Sequence, residues 1–370
     1  MRPGLRRGLA VGALSGLVTV LVAEAVRPRG GTTVLLDWDE VTRLALARLR
    51  GERLPPARLE ALAATYNGLA AELREPLLRT VGGLPADVSL PDFRALDRVR
   101  WLELNVGILR RVTEPLASVT RVPDSWVAGA GRAGMSRYVA LVLAFLGGRV
   151  LGQFDPQLLG KGPVQPALYL VEPNVAAWER HAGLAGDDLR RWLILHEMAH
   201  AWQFASHPWL REHLDSQVDA LVSLVVRPGG RGAVQRLRAL AVGAPGQWEL
   251  ARRMQATMSL VEGHGNLVMN LVGRSVLPSF ASLEAAYRRR TGGRRPLERL
   301  LWQVTGLEMK MEQYRVGEQF ARAVHDRYGM EVLNRAWGGP DALPRLEELA
   351  APERWYRRVV QGTIGRERRR

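Results

Sequence analysis

Leu189-Arg190-Arg191-Trp192-Leu193-Ile194-Leu195-His196-Glu197-Met198-Ala199-His200 is the stretch on which the fold turns. Asp187 or Asp188 supplies an N-cap after Gly186. Leu189, Trp192, Leu193, Leu195 and Ala199 make an apolar stripe, and His207-Pro208 supplies a stop. The spacing predicts a helix over 187–206, with His196 and His200 one turn apart on one face. Both imidazoles can therefore address one ion, and Glu197 lies to the side, within reach of a water held by that ion. With 7 histidines in 370 residues, such a pentapeptide arises by chance on the order of once per hundred similar chains.

Working outward, the chain is large enough to bury a sizeable core. It has no cysteine, so a metal must be held by histidine and carboxylate. The net charge of +15 is almost wholly arginine, since Lys161 and Lys310 are the only lysines. The basic residues are spread along the chain without interleaved aromatics, which argues against a nucleic-acid-binding module. Arg2, Arg6 and Arg7 precede an uncharged apolar run, Gly8–Ala23, that is short for a span but sufficient for a signal-peptide core. Three readings stand: an uncleaved membrane anchor, which is favoured, a removed signal, or a buried N-terminal helix. The expected organisation is an N-terminal apolar segment and linker over 1–30, then a single domain over 31–365. Cytoplasmic and exported locations are the alternatives to the membrane anchor.

The rest reads as mainly α, an α+β chain with a few short strands. Val34–Trp38 and Ala167–Val171 read as strands. Asp39–Arg50, Ala57–Leu73 and Pro91–Val112 show helical periodicity. Gly134–Leu151, interrupted by Arg137 and Arg149, reads as a buried core helix and not a membrane span. Further helices are expected near 187–206, 209–226, 231–242, 247–273, 280–290, 296–325, 329–337 and 343–363.

A hydrolytic zinc site takes three protein ligands, so one more is needed after His200. Leu250, Met254, Thr257, Val261, Gly265, Val268 and Val272 trace a helix that carries Glu262 and His264. These two lie about 200° apart around its axis, so a regular helix cannot aim both at one ion. Glu262 is the choice, because Asn266 follows one turn later and can hydrogen-bond a ligand imidazole. His264 and Asp219 are the alternatives for third ligand. The glycines on either side of His264 suggest that another backbone, or the metal, comes close there. Tyr314 and Lys310, on one face of the expected 296–325 helix, are candidates to stabilise an oxyanion.

With these residues in view, the chain resembles a bacterial family of zincin-like metallopeptidases, long labelled a domain of unknown function and best represented in actinobacteria. The likeness is carried by Arg149–Pro156, Val171-Glu172-Pro173-Asn174, Leu195–His200, Pro208-Trp209-Leu210-Arg211 and Glu262-Gly263-His264. Lys310, Gln313, Tyr314, Gly317 and Phe320 follow, then Trp337 and Leu343-Pro344. It runs over roughly residues 35–360. The resemblance implies a zincin-like core with Zn2+ on His196 and His200, Glu197 as the catalytic carboxylate, and a gluzincin-like third ligand. Relatives tend to carry Asp where this chain has Asn266. Some are labelled as associated with deazaflavin-coenzyme biosynthesis, which names no reaction. The expected function is a zinc-dependent metallopeptidase acting on a peptide or protein substrate. The alternative is a non-catalytic zincin scaffold that binds a peptide or protein partner.

Overall fold

A computed structural model of the chain describes residues 31–362, apart from 33–35, 50, 52, 120–121, 124–125, 159–164, 185, 227–244 and 293–306. The N-terminal apolar segment and the expected 231–242 helix lie outside the described residues. Among those described, no helix is long and apolar enough to cross a membrane.

The architecture is mainly helical around a small sheet, as the periodicity indicated. Strand β1 (Gly31–Thr32) is followed by helix α1 (Trp38–Arg48), which starts where the side chain of Asp37 accepts the backbone N–H of Glu40. Of the expected Val34–Trp38 strand, Val34 and Leu35 lie outside the described residues, and its end is corrected: Trp38 already belongs to the helix, because Asp37 caps it and Asp39 and Glu40 favour its first turn. Helix α2 (Pro56–Val81) opens on proline and ends at Gly82 in the left-handed region. It buries Leu59, Leu62, Tyr66, Leu69, Leu73, Leu77 and Val81 as one stripe.

A second correction concerns Pro91–Val112. Its first part is strand β2 (Phe93–Leu96), and helix α3 (Arg98–Val119) begins only after Asp97. Asp97 Oδ1 accepts the N–H of Arg100, which makes it the true N-cap. Asn67 holds Phe93 in extended form by bonding both its N–H and its C=O. Strand β3 (Val122–Pro123) pairs with β1, and helix α4 (Trp126–Gly147) packs on α1 around Val41, Ala45, Trp101, Ala140 and Leu143.

Strands β4 (Gly152–Asp155) and β5 (Ala167–Val171) complete a three-stranded sheet in the order β2-β5-β4. β5 is buried along its whole length, parallel to β2 and antiparallel to β4. The chain passes from Val171 directly into helix α5 (Glu172–Ala182). The Glu172-Pro173-Asn174 motif has a structural task here. Asn174 Nδ2 donates to the carbonyls of Gly147 and Val150, and Asn174 Oδ1 accepts from Arg98. That strap joins the end of α4, the start of α3 and the approach to β4. Glu172 accepts from Arg190 and from the Tyr66 hydroxyl, and so ties α5 to α2 and to helix α6 (Gly186–Ser206).

Helix α7 (Trp209–Val226) follows α6, then come α8 (Pro245–Val276), α9 (Phe280–Gly292) and α10 (Leu307–Tyr328). The expected helix at 209–226 is found with those bounds, and those at 247–273 and 280–290 are found slightly longer. For 296–325, the described helix starts at Leu307. The C-terminal expectations were too long. Helix α11 (Met330–Asn334) gives way to a 3₁₀ turn over Arg335–Trp337, and 343–363 divides into one short turn, Leu346–Leu349, and a helical run over 352–361. Pro344, Pro352 and the glycine pair 338–339 impose those breaks. The main core lies where α2, α6, α8 and α10 meet the sheet.

Candidate metal centre

Helix α6 is buried nearly all round: Leu189, Ile194, Leu195 and Ala199 have no exposure. It presents His196 and His200 toward α8. Their Nε2 atoms are 3.1 Å apart, and Glu262 Oε2, from α8, lies 3.8 Å from His196 Nε2 and 3.6 Å from His200 Nε2. Among the described residues these three form the one cluster with metal-ligand donors converging within 4.8 Å. Tetrahedral zinc with bonds near 2.0–2.1 Å places its ligand atoms about 3.3 Å apart. Separations from 3.1 to 3.8 Å bracket that value. The donor set therefore fits a zinc ion with one position left open. His196 and Glu262 retain 22% and 17% side-chain exposure against 9% for His200, so the site opens on their side.

Glu197, next to His196 on α6, lies against β4 and close enough to His200 and Glu262 to feel their charge. A Cβ on Gly152 would stand 2.5 Å from Glu197 Oε1, so only glycine leaves room for this carboxylate. Burial raises Glu197 to a pKa of about 7; Glu262 adds to this, while His200 and the backbone of Phe154 pull it back. Burial and the neighbouring His200 lower His196 to about 4. Burial also acts against His200, but the hydrogen bond and charge of Glu262 outweigh it and lift this imidazole to about 9. The charge of Glu262 favours positive charge at both imidazoles, which suits a cation there.

Packing between helices sets the third side of the site. A Cβ on Gly263 would lie 2.1 Å from the carbonyl carbon of Gly317, and one on Gly317 would lie 1.8 Å from the Ser259 carbonyl oxygen. α8 and α10 thus cross backbone to backbone. On the other side of His264, a Cβ on Gly265 would lie 3.0 Å from His200 Cε1. The two glycines answer two needs: one admits a neighbouring helix, the other a ligand imidazole.

His264 itself is fully buried, stacked on Trp202 at 5.5 Å and edge-on to Trp337 at 5.3 Å. Burial holds its pKa down at about 3, so it is a neutral packing imidazole and stands outside the ligand cluster. Asp219 is exposed on α7 and also outside the cluster. Asn266 is half-buried on α8, and the residue that meets a ligand imidazole is Gln203, whose Oε1 lies 3.0 Å from His200 Nδ1. Lys310 and Tyr314 belong to α10, but their side chains lie outside the described residues. The sequence reading missed two residues. Gln203 stands at i+3 from His200, a spacing that puts it beside the imidazole. Gly152 opens the Gly-Gln-Phe-Asp run, and a glycine within a strand signals a close approach.

A mainly α protein with a small sheet, a His-Glu-x-x-His helix and a carboxylate from a second long helix has the layout of a zincin-like protein. The pattern of the zincin-like metallopeptidase family matches residues 36–356, and the chain belongs to that family. No curated protein matches it. Among solved structures, a protein from Chloroflexus aurantiacus, provisionally described as a hydrolase with a novel fold, is similar at 31% identity. That match covers 87% of this chain and 98% of the other, with a TM-score of 0.66. Family and neighbour together support a hydrolase.

Proposed function

We propose that this chain is a zinc-dependent hydrolase that cleaves peptide bonds, with His196, His200 and Glu262 holding the ion and Glu197 moving the proton. The observation that carries the reading is the convergence of two imidazoles and a carboxylate from α6 and α8, with a second, buried carboxylate beside them at the rim of a strand. Zinc held by this set supplies Lewis acidity at the open position that three protein ligands leave.

The remaining work falls to the chain's own groups. The Glu197 carboxylate takes a proton from the attacking water and returns it to the leaving amine. Its raised pKa brings it near the operating pH for that exchange, and the charge of a bound cation lowers it again. A peptide substrate is supported by the geometry of β4. The N–H of Val171 donates to the Leu151 carbonyl, so alternate residues of β4 pair with β5; of the groups that face away from β5, the Phe154 N–H is taken by the Glu197 carboxylate, while those of Gly152 and the Phe154 carbonyl face the outer edge. An extended chain can add along such an edge by main-chain hydrogen bonds. The ring of Phe154 packs on Phe204 of α6 and fixes that edge beside the histidines.

The test is digestion of a peptide library by zinc-loaded protein and by Glu197→Gln, with zinc content measured in both. Loss of general acid–base catalysis costs about 10²–10⁴ in rate. Full activity in Glu197→Gln overturns the reading. No cleavage by the zinc-loaded wild type favours the non-catalytic scaffold instead.

A further inference from the structure

The carbonyl of Val261 is a fixed point beside the ligand histidines. It can only accept, and Gln203 Nε2 donates to it at 2.9 Å. That bond settles which end of the Gln203 amide is nitrogen, an assignment that heavy-atom positions alone leave ambiguous. Gln203 Oε1 therefore faces His200 Nδ1, at 3.0 Å. An amide oxygen also only accepts, so Nδ1 of His200 carries a proton, and in the neutral ring that a metal ligand must be, Nε2 is the nitrogen that keeps its lone pair for the ligand cluster.

The second hydrogen of Gln203 Nε2 points at His264 Nδ1, at 3.1 Å. This nitrogen must accept, which puts the His264 proton on Nε2, where it is donated to Asn334 Oδ1 at 3.3 Å. Asn334 is oriented in the same way as Gln203, because its Nδ2 donates to the Val81 carbonyl at 2.8 Å. Side chains from α6, α8 and α11 thus form one chain of hydrogen bonds, polarised in a single direction and pinned by backbone carbonyls of α8 and α2. Gln203 and His264 are wholly buried, and His200 nearly so. The other ligand is treated differently: Nδ1 of His196 is buried with no hydrogen-bond partner.

We propose that Gln203 is the positioning residue of the metal centre. It holds the His200 imidazole in the tautomer and orientation that offer Nε2 to the ion, and His264 and Asn334 hold Gln203 in turn. The inference rests on reading His196, His200 and Glu262 as the metal site. A chain that merely satisfied buried polar groups would support the fold without affecting the metal; this one ends on a ligand atom.

Zinc affinity of the full chain, measured by competition with a chromogenic chelator, tests it. Failure of the wild type to bind zinc refutes the site reading itself, separately from the role of Gln203. Given wild-type binding, Gln203→Met removes both acceptor and donors at similar volume and is expected to weaken zinc about 10- to 100-fold. Gln203→Glu keeps an acceptor for His200 Nδ1 but has no donor for Val261 or His264. It is expected to bind zinc within tenfold of wild type while melting at a lower temperature. A loss of less than tenfold in Gln203→Met overturns the proposal, as does a Gln203→Glu that binds as weakly as Gln203→Met. Should either variant fail to fold, the histidine tautomers of the zinc-loaded wild type, read from long-range 1H–15N correlations, decide the matter. The proposal requires Nε2–H on His264 and Nδ1–H on His200, and the opposite tautomer on either one overturns it.

Discussion

Replacing Gly152 by alanine isolates the Glu197 carboxylate from the metal ligands. The new Cβ would stand 2.5 Å from Glu197 Oε1 and 3.1 Å from its Cγ and Cδ. Non-bonded heavy atoms rest at about 3.5 Å or more, so the carboxyl group must retreat by about 1 Å. The strand is poorly placed to yield instead. Its neighbour Gln153 is held by Trp101 and Asn105 through hydrogen bonds of 2.8 and 3.1 Å, and β5 pairs with it along its length. A 1 Å misplacement of a reacting group costs about 10²-fold in rate, or about 2.7 kcal/mol at the barrier. His196, His200 and Glu262 are not touched, so zinc affinity should stay within a factor of three. The assay is kcat on any peptide the wild type cleaves, with zinc titration in parallel and Gly148→Ala as control. At Gly148 the nearest contact of a new Cβ is an ordinary 3.9 Å. Wild-type kcat in Gly152→Ala would refute the assignment of Glu197 as the proton-transfer group, and equal losses in both variants would refute the steric reasoning.

Three further outcomes concern the scaffold. Gly317→Ala drives a methyl group into the Ser259 carbonyl, 1.8 Å away, so the α8–α10 crossing must open; a loss of about 3 kcal/mol or more is expected in urea unfolding, and an unchanged midpoint contradicts the close crossing. Gly68→Ala lies in the interior of α2 with nothing within 4 Å of the new methyl, and should raise stability by about 0.5–1 kcal/mol in the same assay. His207 is held below its ordinary pKa, first by burial, with the Gln203 carbonyl partly opposing this. A depressed folded pKa gives a stability contribution that is present above about pH 6.5 and lost as pH falls through the folded value. Stability of the wild type should therefore fall more steeply between pH 7 and pH 5 than that of His207→Gln; parallel slopes would show that His207 does not titrate on unfolding.

The centre of the site was legible because its chemistry restricts residue type and spacing together. Two histidines and a glutamate on one helix say where a cation can sit, and helix geometry, which cannot aim Glu262 and His264 at one ion, narrowed the third ligand. The glycines around His264 were also informative, although a sequence cannot show that Gly263 serves a helix crossing while Gly265 serves an imidazole. What escaped was set by partners distant in sequence. β4 is four residues long and begins with glycine, so no alternation announces it, and only pairing with β5 makes it a strand. Asp97 carried a capping signal, but the apolar periodicity on both sides of it concealed the change from β2 to α3. Gln203 looked ordinary because its role depends on the Val261 carbonyl, fifty-eight residues away.

The claim on which all of this stands is that α6 and α8 together grip one divalent ion. Zinc stoichiometry and affinity in solution, for the wild type beside His196→Ala, Glu262→Ala and Glu197→Gln, test it most directly. One zinc per chain is expected in the wild type and in Glu197→Gln, with binding lost or weakened by orders of magnitude in the other two. Undiminished zinc binding in His196→Ala or Glu262→Ala, or none in the wild type, would contradict it.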